Sequence, residues 1–149
     1  MRADALALKR YAYLLTGDEE AAEEVLQDSL VRVYQAWSRV RDHALARAYA
    51  RKVIVRRVIN ASSRRREYPV ADVPDRAHRE SGVEERDRIW RALTALGPRQ
   101  RAVVVLRFYD DLTEAAIADR LGVRVGTVKS QLSRGLATLR ARLERDDDV

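Results

Sequence analysis

Four polar or basic side chains fall on one side of a helical stretch near the C-terminus, Thr127, Ser130, Ser133 and Arg134, with Arg124 and Lys129 at its flank. At 100° per residue, Val128, Leu132, Leu136 and Leu139 share the opposite face, so the hydroxyl and guanidinium groups are expected to project outward. Arginine can bind guanine in a two-pronged hydrogen bond, while lysine, serine and threonine more often fix a helix on phosphate. That combination is chemistry for meeting nucleic acid rather than for making or breaking covalent bonds.

The elements that would position this face are legible in Leu112–Leu139, LTEAAIADRLGVRVGTVKSQLSRGLATL. Ala118 is small enough for a second helix to cross close above it, Gly122 can take the positive φ of a tight turn, and Val128 anchors the second helix to the first. This is the spacing of a helix-turn-helix. A solvated helical pair would carry the apolar stripe without also matching small residue, turn glycine, anchoring valine and outward basic groups.

A second polar stripe, Lys52, Arg56, Asn60 and Ser63, continues into Arg64-Arg65-Arg66 along an expected helix from about Leu45 to Arg66, with Ile54, Val58 and Ala61 turned inward. By itself the stripe fits a solvated face as well as a nucleic-acid surface. Trp37, Tyr34 and Tyr49 flank the preceding loop, and rings beside basic groups can hold unstacked bases. Core packing is the expected place for Tyr34 and Trp37. Upstream, Gly17 is read as ending an opening helix and Asp18 as capping a second that runs to about Trp37, with Leu26, Leu30, Val33 and Trp37 on one face and Asp28, Arg32 and Gln35 on another.

Charge divides the 149 residues into three. Residues 1–66 carry 14 basic and 8 acidic groups, 67–82 carry 2 and 4, and 83–149 carry 13 and 11, for a net charge of +6. The middle segment, EYPVADVPDRAHRESG, lacks apolar periodicity, holds two of the three prolines and reads as a linker. The expected fold is all-α: two small helical domains, 1–66 and 83–149, joined by a flexible connection. The second domain should open with a helix over 84–96, bearing Ile89, Leu93 and Leu96 inward, break at Gly97-Pro98, and resume from Arg99 to Tyr109. The run Val103-Val104-Val105 has no hairpin signal and is assigned to helix. The closing Asp146-Asp147-Asp148 reads as a frayed tail.

Composition excludes several classes. No apolar run approaches the roughly 20 residues of a membrane span, and the first residues lack a secretory core, so the expected compartment is the cytoplasm. Cysteine is absent and His43 and His78 are isolated, so neither a metal site nor a cofactor is expected. The acidic clusters Asp18-Glu19-Glu20, Glu23-Glu24 and Asp110-Asp111 fit helix starts and solvated surface, and no nucleophile set or phosphate-cradling loop is present, so an enzyme is not expected.

Three stretches carry a family resemblance. AYLLTGDEEAAEEVLQDSLVRVYQAW (12–37) looks like region 2.1–2.2 of bacterial sigma factors of the extracytoplasmic-function (ECF) type, AYARKVIV (48–55) with the later arginines is similar to region 2.3–2.4, and the stretch from Ala95 to Arg140, containing GTVKSQLSR, is similar to region 4. The resemblance implies a subunit that joins core RNA polymerase and directs it to promoters. Gln27, Asp28 and Arg32 would face the polymerase clamp helices. Trp37, Lys52, Arg56 and Asn60 would meet the −10 element, and Arg124, Thr127, Lys129, Ser130, Ser133 and Arg134 the −35 element. Region 4 would also touch the polymerase flap, and an anti-sigma factor is a further possible partner. The two promoter elements lie about two DNA turns, roughly 70 Å, apart. Two other readings fit the same residues: a stand-alone helix-turn-helix regulator, and a helical module that binds polymerase or an anti-sigma protein without initiating transcription.

Overall fold

The computed structural model describes residues 2–40, 42–67 and 84–147; side chains are described for 4–39, 42–61 and 88–147. Seven helices and no strand occur among the described residues: α1 (Arg2–Thr16), α2 (Glu19–Val40), α3 (His43–Glu67), α4 (Glu84–Thr94), α5 (Pro98–Phe108), α6 (Glu114–Leu121) and α7 (Val125–Asp147). Of the expected linker, 67–82, Glu67 closes α3, and the rest lies outside the described residues.

Each boundary has a local cause. Gly17, at φ +72°, ends α1 in a left-handed conformation that glycine adopts without a Cβ clash. Asp18 accepts from the Ala21 amide to cap α2, and Asp42 accepts from the Ala44 amide at 2.9 Å to cap α3. Pro98 opens α5, where a missing N–H costs no helical bond. Thr113 caps α6 by accepting from the Ala116 amide, and Gly122 at φ +66° closes it.

Leu8, Tyr11, Leu15, Leu26, Ile54, Val55 and Val58 form the interior of a bundle of α1, α2 and α3. The same interior runs on without a break into Val103, Val105 and Leu106 of α5, Ile117 and Ala118 of α6, and Val128 of α7. Both halves of the chain thus bury apolar surface against each other, each fully buried aliphatic side chain contributing roughly 1.5–3 kcal/mol. The valine run 103–105 is helical and buried, as expected.

Several core assignments made from spacing are corrected. Ala61 is exposed because it lies near the end of α3, beyond the helices that cover Ile54 and Val58. Ile89 is exposed while Leu93 and Leu96 are buried, because in the first part of α4 it is the flanking Arg88 and Trp90 that reach neighbouring helices. Leu30 and Trp37 are also exposed, and Tyr34 is 83% exposed: the distal half of α2 extends past its partners. The acidic C-terminus is helical through Asp147, which pairs with Arg88 at 2.6 Å.

Candidate nucleic-acid interface

The helix-turn-helix is α6 and the first turns of α7. Thr113 fixes where α6 begins, Gly122 reverses the chain, and Val128, fully buried, pins α7 against Ile117 and Ala118. With that side of α7 anchored, Arg124, Thr127, Lys129, Ser130, Ser133 and Arg134 are all exposed. Among them, Lys129 stands 4.0 Å from Glu114 of α6, a surface pair worth little to stability. The face therefore carries three cationic groups and three hydroxyls that reach solvent from a rigid support.

On α3, Lys52, Arg56 and Asn60 recur every four residues and are exposed along one line. They border an open groove of about 950 Å³ that also takes in Asp28 and Arg32 of α2, so two residue sets assigned to different partners adjoin. Asp28 and Arg57 bridge α2 and α3 at 3.4 Å across this groove. Gln27 is exposed outside the groove lining. Trp37 is separate from the α3 stripe and stands edge-on to His43, ring centroids 5.6 Å apart. Ser63 and Arg64-Arg65-Arg66 belong to α3, but their side chains lie outside the described residues.

Sequence spacing did not reveal the groups joining these two surfaces. Arg101, buried in α5, donates to the carbonyls of Leu93, Thr94 and Leu96 at the end of α4 and to Leu15 near the end of α1, at 3.0–3.2 Å. Carbonyl-rich helix ends favour a cation, which offsets part of the cost of burying one. That burial lowers the guanidinium pKa from its ordinary value. Asp110 accepts from the Tyr11 phenol at 2.7 Å and pairs with Arg51, whose guanidinium lies 5.2 Å above the Tyr11 ring. Burial first, and the Asp110 hydrogen bond second, push the Tyr11 pKa well above its ordinary value. Tyr13 of α1 stacks on Trp90 of α4, centroids 4.0 Å apart. All three clusters join residues far apart in sequence, and the one available signal was an arginine inside an apolar helix.

Among the described residues there is no group of three or more potential metal ligands and no helix long and apolar enough to cross a membrane.

Residues 2–68 match the family model for sigma-70 region 2, and residues 86–139 that for sigma-70 region 4. RNA polymerase sigma-E factor of Streptomyces avermitilis is 39% identical over 145 residues, spanning 95% of this chain and 81% of that protein. ECF RNA polymerase sigma factor SigL of Mycobacterium tuberculosis is 34% identical over 152 residues, spanning 94% and 84%. The fold is shared with the sigma factor RpoE of Bartonella quintana, solved in complex with the anti-sigma factor NepR, at a TM-score of 0.69 and 22% identity over 95% of this chain and 92% of that one. A region 2 bundle and a region 4 helix-turn-helix, in that order and over more than four-fifths of the length of such relatives, place this chain in the sigma-70 family, among the sigma factors of the extracytoplasmic-function type.

Proposed function

We propose that the chain acts as a promoter-specificity subunit of RNA polymerase, working in the cytoplasm and without catalysis of its own. Its region 4 face, Arg124 to Arg134, reads the −35 element, with Arg124 and Arg134 as candidates for base contacts and Lys129, Thr127, Ser130 and Ser133 on phosphate. Lys52, Arg56 and Asn60 hold the −10 strand as the duplex opens, with Trp37 available for stacking. Gln27, Asp28 and Arg32 dock on the polymerase clamp, the flap receives region 4, and an anti-sigma factor is a candidate regulator.

The observation that carries this reading is the region 4 face, six exposed donors on the turn and helix anchored by Val128 and set by Thr113 and Gly122. Neither domain need bind DNA tightly alone, because mounting both on polymerase makes the second contact intramolecular, at an effective concentration on the order of millimolar. Run-off transcription with core polymerase and genomic promoter fragments tests it. Transcripts that start at defined −35/−10 sites only when the chain is added are the expected result, and failure of the chain to associate with core polymerase overturns it.

A further inference from the structure

The match to sigma-70 region 4 ends at residue 139, whereas α7 continues about two turns farther, to Asp147. Those extra turns are tied down. Arg88 of α4 donates to the Leu143 carbonyl at 2.8 Å and pairs with Asp147 at 2.6 Å, and Leu139 packs against the cluster of Leu93, Leu96 and Val104. The side of α7 away from these contacts is cationic. Arg145 comes 18 residues after Thr127 and 11 after Arg134, five and about three helical turns, so the three project in one line. Arg142 stands beside Arg145, one turn back. Both are exposed, and neither makes an ion pair or side-chain hydrogen bond among the described residues. The small side chains of Thr138 and Ala141 occupy the line between Arg134 and Arg145, while Glu144 and Asp146 point about 100° to either side of Arg145.

Continuity with the face proposed to read the −35 element, on which this inference rests, and the sign of the charge both select a polyanion. The major groove is about 12 Å wide, and Arg145 lies roughly 16 Å beyond Arg134 along the helix axis. A straight helix whose first turns reach base edges has left the groove by that point and meets the row of phosphates that bounds it. We infer that the last two turns of α7 extend the DNA interface past the helix-turn-helix, with Arg142 and Arg145 holding backbone phosphates beside the −35 element without reading its sequence. Each arginine neutralises a phosphate and releases its condensed counterion, which strengthens binding to any sequence and steepens its salt dependence. Arg88 is the positioning residue: it fixes the direction of the extension and offsets the Asp147 carboxylate, which would otherwise repel the backbone.

Promoter binding by core polymerase carrying the full chain, measured across a salt series, tests this. Arg142→Ala combined with Arg145→Ala should weaken binding several-fold, alike on promoter and random DNA, and lower the slope of log affinity against log salt by about 0.9 for each arginine. Arg142→Lys combined with Arg145→Lys should keep the wild-type slope, because a point charge suffices for phosphate. Thermal melting should be unchanged in both, since the substituted side chains are exposed. Ethylation interference should reveal phosphates beside the −35 element whose ethylation weakens the wild type but not the double-alanine variant. An unchanged salt slope, the same interference pattern in both proteins, or a loss seen only when a second protein is bound to the DNA each overturns the extension while normal promoter-dependent transcription leaves the sigma-factor reading intact. If the wild type shows no polymerase-dependent promoter binding, both fall.

Discussion

Gly135 of α7 lies against Val104 of α5 so closely that a Cβ on the glycine would come within 3.1 Å of Val104 Cγ2. The second helix of the DNA-reading unit is seated on the valine run of α5 through that missing side chain. Gly135→Val is therefore expected to destabilise the chain by about 1–3 kcal/mol through overpacking. Gly126, with nothing within 4 Å of its would-be Cβ, should respond oppositely, Gly126→Ala stabilising by roughly 0.5–1 kcal/mol. Denaturant midpoints of the two variants check the opposite signs.

Arg134→Ala should weaken promoter binding by polymerase carrying this chain by about 1–3 kcal/mol, and relax preference at one −35 position, while polymerase association is unchanged. Lys129→Ala should weaken binding to all sequences alike and lower the salt dependence by about one phosphate contact. Competition between promoter and random DNA across a salt series separates the two, and equal losses for Arg134→Ala on both DNAs would reject it as a base reader.

In the region 2 groove, Arg56→Ala and Asn60→Ala are expected to impair duplex opening more than formation of the first closed complex. Permanganate reactivity of −10 thymines reports this directly. Normal reactivity in both variants would remove these residues from the opening step.

Arg101→Met should lower stability by at least about 1.5–3 kcal/mol, because it leaves four carbonyls without their charged donor. Arg101→Lys should not restore it: a single ammonium cannot reproduce the planar fork that reaches the ends of α1 and α4 together. Thermal melts of both variants are the check.

Tyr11 gives the chain an alkaline weakness. Its phenol holds its proton more tightly folded than unfolded, so its contribution is whole below the ordinary tyrosine pKa of 10.0 and declines as pH rises above it. Wild-type stability should fall above about pH 10, and Tyr11→Phe should flatten that decline while starting from a lower value. Chemical denaturation between pH 8 and 12 measures the slope, and identical slopes would contradict the assignment.

What the sequence disclosed, and what it hid, follows the range of the forces involved. The helix-turn-helix was legible because Ala118, Gly122 and Val128 act on near neighbours, and their spacing alone implies the turn and the anchored face. Asp110 read as a solvated helix start beside Asp111, and nothing local indicates which of the two is buried. Its partners are 99 and 59 residues away. Apolar spacing likewise placed Trp37 inside, and aromatic character placed Tyr34 there with it, although the neighbouring helices stop short of both. Ala61 was misplaced for the same reason: periodicity identifies a face but not how far a partner extends along it.

The side chains proposed to choose the promoter take almost no part in holding the molecule together. Substitutions at Arg124, Thr127, Ser130, Ser133 and Arg134 fall on exposed positions, where stability typically changes by no more than about 0.5 kcal/mol. Promoter preference can therefore drift, duplicate and diverge in descendants of this gene at little structural risk, whereas Val128 and Gly122 must stay as they are for any such reader to stand upright.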